Sequence, residues 1–146
     1  FVDITTTWSF DELAPFAELI RRDRAHLIMS GHLINRHLDV SGDPVTFSRP
    51  ILQGLLRSVM GYEGALMTDD LDMGAIREHY SRQEAVLRSI AAGNDLLLIS
   101  NSANADEFLP QRIASWVEEA VSEGSLQTSE IEDSFERISS LRNRLA

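Results

Sequence analysis

The sequence predicts an α/β fold of parallel strands covered by helices, and three observations predict it. Three short apolar runs, His26–Ser30, Ala65–Thr68 and Asp95–Ser100, read as strands buried on both faces. Each is followed by residues at helical spacing, and Gly, Pro, Asn or Asp stand at the junctions. Strands of this kind separated by helices run parallel. The rhythm is helix, then strand and helix three times, then a last helix, in one domain over residues 1–146 without linker, repeat or low-complexity segment. Three such units are too few to close a (β/α)8 barrel. They make a small open sheet or three staves of a barrel, and on pattern alone the open sheet is the default.

The first helix starts near Ser9, which stands with Glu12 at capping-box spacing. Leu13, Phe16, Ala17 and Ile20 give it one apolar face for burial. Arg21, Arg22 and Arg24 close it at the negative end of the helix dipole. After the first strand and a polar loop holding Gly42 and Pro44, Ser48 caps a helix with Pro50 in its first turn. Ile51, Leu52, Leu55, Leu56 and Val59 face inward from it. Gly61 and Gly64 bracket the turn into the second strand, and a helical stretch then runs from Gly74 to Ala92. The third strand has four consecutive large aliphatic residues between Gly93-Asn94 and Asn101. Two helices finish the chain: one over about Asp106–Glu123, and one starting after Thr128 or Ser129. The last carries Ile131, Phe135, Ile138, Leu141 and Leu145 on one stripe.

Bulk composition narrows the function. Hydrophobic residues make up 43% and charged residues 25%, as in a globular domain. The net charge is −10, with 13 basic against 23 acidic residues, which argues against a nucleic-acid partner and against an anionic membrane surface. With no cysteine, disulfides, zinc–thiolate sites and a cysteine nucleophile are excluded. No apolar run approaches the ~20 residues of a membrane span, and no signal-peptide pattern opens the chain. These absences favour a cytoplasmic setting, with a secreted or periplasmic one the alternative. The chain opens on Phe1 rather than Met, which raises the expectation that it was cut from something longer.

Chemistry concentrates where the strands end. All three runs finish in polar residues, Ser30-Gly31-His32, Thr68-Asp69-Asp70 and Ser100-Asn101-Ser102, at the edge where parallel α/β folds bind ligands. The stretch Thr68–Met73 is the densest. It holds three carboxylates within four residues, which repel one another unless they bind cations, donors or a substrate. Several readings fit. An Asp after a strand often only caps the next helix. Asp69, Asp70 and Asp72 are also hard oxygen donors of the kind that bind divalent metals, although no glycine-punctuated calcium loop surrounds them. A phosphate- or nucleotide-binding open sheet is weak, since no glycine-rich loop follows any strand. His26, His37 and His79 lack metal-ligand spacing.

Residues 44–76, PVTFSRPILQGLLRSVMGYEGALMTDDLDMGAI, resemble the signature of the β-N-acetylhexosaminidases of glycoside hydrolase family 3. There a Pro-Ala-Thr-x-Ser segment leads into a helix ending in Leu-Arg. A Gly-aromatic-acidic-Gly turn follows, and then a strand ending in Ser/Thr-Asp-Asp/Ala-Leu-x-Met. Val45 replaces Ala and Tyr62 the usual Phe. LIMSGH, residues 27–32, resembles the family's Val-Met-x-Ala-His strand, with Gly31 for Ala. AAGNDLLLIS, residues 91–100, is similar to its Ala-Gly-x-Asp-Leu-Leu-Leu strand, and TWSFDELAPFAELI, residues 7–20, to the helix before the histidine strand. Leu71, where β-glucoside-cleaving members carry Trp, favours the hexosaminidase branch.

The resemblance implies a partial (β/α)8 TIM-type barrel: three parallel strands each followed by helix, plus flanking helices, forming the carboxyl-terminal part of the catalytic barrel. It assigns Asp69 as the catalytic nucleophile of a retaining glycosidase, whose ionised carboxylate must lie beneath the anomeric carbon. Asp70 takes a supporting substrate-site role, Met73 lines the pocket or packs under the loop, and His32, which matches the family's strand-end histidine, binds substrate or is structural. It implies no cofactor and no metal, and a carbohydrate substrate, terminal β-linked N-acetylhexosamine of cell-wall or chitin type. Phosphate in place of water as acceptor stays open. The family's acid/base His–Asp loop and its Lys-His-Phe-Pro-Gly-His-Gly segment do not occur in residues 1–146. The expectation is therefore that this chain alone is inactive, and that it self-associates or pairs with the missing amino-terminal half to cover exposed sheet edges. The alternative is a non-catalytic oligomerising α/β remnant.

Overall fold

A computed structural model describes residues 1–102 and 104–145. Its strands form two parallel pairs. Strand β1 (Val2–Asp3) lies beside β3 (Leu33–Ile34), two short elements with no apolar run to announce them. Strand β2 (Leu27–Ser30) lies beside β4 (Ala65–Thr68), with Leu27 opposite Ala65 and Ser30 opposite Thr68. Side chains alternate across a strand. Ile28 and Leu66 point to the helix-covered side, whereas Leu27 and Met29 are 39% and 49% exposed. The expectation that the first strand is buried on both faces is therefore corrected: one face is covered and the other is open.

The expected third strand is also altered. Residues 95–100 run parallel to β4, but only Leu96 forms a ladder bridge, to Met67. Leu96 N–H donates to the Leu66 carbonyl and Thr68 N–H to the Leu96 carbonyl, both as a parallel ladder requires. The next rung breaks. Leu98 N–H donates to the Thr68 hydroxyl (2.9 Å), while the Leu98 carbonyl accepts Leu71 N–H (2.9 Å). A side-chain oxygen has replaced a main-chain one, and the segment bends to follow the Asp69–Leu71 turn.

The first helix has the anticipated start. Ser9 Oγ accepts Asp11 N–H and Ser9 N–H donates to Glu12, opening a 3₁₀ turn (Phe10–Leu13) that continues as α1 (Ala14–Arg21). Its apolar stripe is not buried: Leu13 and Ile20 are partly covered, while Phe16 is 47% exposed. Ser48 Oγ accepts Ile51 N–H ahead of a π-helix (Pro50–Val59), in which Ile51 and Leu52 are buried but Val59 faces solvent.

The single helix anticipated over Gly74–Ala92 is two, α2 (Gly74–Arg77) and α3 (Arg82–Ala92). Ser81 causes the break. Its backbone is extended and its hydroxyl accepts Glu84 N–H, the competition by which serine ends one helical run and starts another. Helix α3 stops at Gly93, whose φ of +106° suits glycine and where a Cβ would run into the Gln53 side chain. Helices α4 (Leu109–Ser122) and α5 (Thr128–Leu145) complete the chain. On α5 the expected stripe is partly covered at Ile131, Ile138 and Leu141, but Phe135 and Leu145 are exposed.

The core has two adjoining clusters. Leu52, Tyr62, Leu66 and Ala92 lie under the strand pair, and Phe47, Leu71, Ile76, Ala85 and Val86 lie beneath the loop that leaves β4. Full burial of a side chain such as Leu66 is worth about 1.5–3 kcal/mol. The second cluster is what anchors the site, since Leu71 sits among the carboxylates and Ile76 opens the next helix. Among the described residues no helix is long and apolar enough to cross a membrane.

Candidate active site

Strand β4 delivers Asp69 at its carboxyl end. Asp69 N–H donates to the Ser30 carbonyl (2.9 Å), so the strand pair still holds the main chain at the point where the side chain leaves it. The Asp69 carboxylate accepts the N–H of Asp70 (2.8 Å) and is only partly covered.

Asp70 is committed to the loop. One carboxylate oxygen accepts both Asp72 N–H and Ser100 N–H, each at 2.9 Å. Burial would raise this carboxyl, but the two amide donors outweigh it and hold the group below the usual carboxylate range. The Asp70 carbonyl is equally busy, accepting Met73 N–H and facing His32 Nε2, both at 3.0 Å.

His32 is buried, with Nδ1 2.8 Å from the Thr46 hydroxyl. A carbonyl can only accept, so Nε2 donates to it, while Nδ1 shares a hydrogen bond with the Thr46 hydroxyl. Both ring nitrogens are thereby used within the chain. Met73 stands at the start of α2 and is 44% exposed. The structure thus joins the four residues singled out from sequence, Asp69, Asp70, His32 and Met73, through one set of bonds centred on Asp70.

Sequence reasoning named Asp72 only as a member of the acidic run and missed the supports around it. Asp72 is buried and receives a fork from Arg82, with Nη2 2.9 Å from both carboxylate oxygens. Its second oxygen also accepts Asn101 N–H (2.9 Å). Asn94, 2% exposed, donates to the carbonyls of Thr46 and Ser89 and accepts the Ser30 hydroxyl, tying three segments beneath the site. The signal for Asp72 was its place in the acidic run, and for Asn94 its place before an apolar strand. Arg82 carried none, because its partner lies ten residues away across a helix break. Among the described residues no group of three His, Asp or Glu is arranged to hold a metal ion. Asp69 and Asp70 are both partly exposed, but Asp70 Oδ1 is tied by two amides of the loop, whereas Asp69 accepts the N–H of its own neighbour.

Comparisons with known proteins identify the family of the chain. Residues 6–141 match the family described as glycosyl hydrolase family 3 N terminal domain. The β-hexosaminidase A of Pseudoalteromonas piscicida is 30% identical over 92% of this chain and 24% of its own length. A β-hexosaminidase of Tolumonas auensis is 36% identical over 62% of the chain and 27% of its own. A glycoside hydrolase family 3 β-N-acetylglucosaminidase structure from a Paenibacillus superposes with a TM-score of 0.80 at 33% identity, over 91% of this chain and 24% of that one. The chain therefore spans about a quarter of the length of these relatives.

Proposed function

This chain belongs to glycosyl hydrolase family 3, within the family's N-terminal domain, and from that premise we propose that it forms the nucleophile-bearing part of a retaining β-N-acetylhexosaminidase. The observation that carries the reading is Asp69, a partly accessible carboxylate fixed at the tip of a parallel strand and left out of the pairings that occupy Asp70 and Asp72. In the reaction Asp69 attacks the anomeric carbon of a terminal β-linked N-acetylhexosamine. The bond to the leaving oxygen breaks as a general acid protonates it, and a glycosyl ester forms on Asp69. Water then cleaves the ester and restores the carboxylate. Rigid placement supports this chemistry, because attack depends on approach distance and angle.

His32, Asp70 and Met73 complete the proposal in unequal roles. His32 and Asp70 shape the turn, and Met73, exposed beside it, meets the sugar. The parallel pair β2–β4 with the segment 95–100 beside it is read as three staves of a (β/α)8 barrel, whose interior side is the face carrying Leu27, Met29 and Leu98. In that reading the acid and the remaining sugar contacts come from outside residues 1–146, and the open face is covered by further staves or by a second copy.

The test is covalent trapping. The full-length polypeptide, incubated with a fluorosugar inactivator of N-acetyl-β-glucosaminidases and digested, gives a labelled peptide whose modified residue is Asp69. A label on another side chain sinks the assignment, as does a polypeptide that neither reacts nor hydrolyses aryl N-acetyl-β-glucosaminides.

A further inference from the structure

No cation pairs with the Asp69 carboxylate among the described residues, but one grips its turn. Arg82 is the first residue of α3, where a positive charge meets the positive end of the helix dipole, a placement that costs stability by itself. What offsets it is Asp72. The fork is bidentate, with Nη2 at 2.9 Å from each oxygen and Nε at 3.1 Å, and the Asp72 side chain is 2% exposed. Arg82 Nη1 also lies 3.5 Å from Asn101 Oδ1. Asn101 has φ +50° and closes its own loop through Asp106 N–H and the Asp106 carbonyl. The ends of two adjacent extended segments, after Thr68 and after Ser100, are thus drawn onto one guanidinium plane.

We infer that Arg82 is a positioning residue for Asp69, acting through Asp72 and Asn101 to set the direction in which the nucleophile leaves the strand. The inference rests on the reading of Asp69 as nucleophile. The geometry favours arginine over lysine, because two oxygens and a neighbouring amide lie within reach of one planar group that an ammonium cannot reproduce. With Arg82 removed, Asp72 becomes a buried carboxylate that has lost its guanidinium fork while still accepting Asn101 N–H, and the turn shifts to bring it toward water.

The experiment compares Arg82→Met, Arg82→Ala and Arg82→Lys in the full-length polypeptide, with aryl N-acetyl-β-glucosaminides as probes and a thermal melt run on each variant. The expected result is a fall in kcat of about 10- to 100-fold with KM within about twofold, the pattern of a displaced attacking group. Added guanidinium ion restores part of kcat to Arg82→Ala and none to the unmodified protein. A lowered melting temperature with kcat unchanged overturns the inference and makes the pair purely structural. Should the Met and Ala variants not fold, Arg82→Lys decides alone: reduced kcat at unchanged KM supports the role and full kcat refutes it. If the unsubstituted polypeptide is active and Asp69→Ala keeps that activity, the nucleophile reading falls, and this inference with it.

Discussion

The two ends of the parallel strand pair carry acidic residues in opposite circumstances. At the amino end Asp95, with its side chain fully buried, is surrounded: Arg57 and Arg137 each reach it at 2.9 Å, Ser134 donates to it, and Leu66 N–H donates at 2.8 Å. One carboxylate there joins β4, the segment 95–100, the π-helix and α5. At the carboxyl end Asp69 accepts one amide from its own neighbour and stays partly open, while Asp70 and Asp72 take the ties. The lesson is that charge alone does not mark function. A carboxylate saturated by arginines holds elements together, and one whose neighbours do the holding is left available, as the nucleophile proposed here must be.

That contrast breaks most sharply under paired truncation. Asp69→Ala in the full-length polypeptide is expected to lower kcat by about 10⁴-fold or more, the scale on which loss of a covalent nucleophile acts. Its effect on stability is expected within about 0.5 kcal/mol, since the side chain is partly exposed and accepts the N–H of its own neighbour. Asp95→Ala should do the reverse. It strands two arginine charges in a buried setting, and breaking such a pair costs about 3–5 kcal/mol. Denaturant titration beside steady-state kinetics reads both, and comparable stability losses in the two variants would erase the distinction between the ends.

The sequence made one end far more legible than the other. The run Thr68–Met73 advertised itself because three carboxylates crowd four positions, and the helix start at Ser9 followed from capping chemistry written locally. Asp95 read only as the first residue of an apolar run, because its partners Arg57 and Arg137 lie 38 and 42 residues away. Long-range pairing leaves no periodic trace. The third strand failed for a related reason: four aliphatic residues predict extension correctly, but whether the ladder continues depends on the Thr68 hydroxyl reaching Leu98 N–H. Apolar stripes located faces without saying that anything covers them. Phe16 and Phe135 sit where the period places them and are nonetheless exposed.

The amino end can be sharpened by pH. Tyr62 is 3% exposed, donates to the Ala65 carbonyl at 2.7 Å, and has Arg57 near its ring. Burial pushes its phenol up to about 12, with Asp95 adding to the rise and Arg57 opposing it. A group whose folded value is raised favours the native state below its unfolded value and loses that advantage as pH climbs to the folded one. Stability should therefore fall between about pH 10 and pH 12, at about 1.4 kcal/mol per unit for one proton. Tyr62→Phe should flatten that slope while the slope at neutral pH stays unchanged. Melts that fall equally steeply in the Phe variant would place the alkaline loss elsewhere.

The smallest expected effect lies at the carboxyl end, in the start of the helix that carries Arg82. Ser81 caps α3 through Glu84 N–H at 3.1 Å, and removing such a cap costs about 1 kcal/mol. Ser81→Ala should show that loss in a melt. Helix α3 stays pinned from its far side by Ala85, Val86 and Ser89, which are all buried, so Arg82 keeps its approach to Asp72. Activity should change by less than twofold. If Ser81→Ala instead lowers kcat as far as Arg82→Met does, the first turn of α3 is held by its cap rather than by its core. The fork on Asp72 would then be a consequence of that turn and not what orders it.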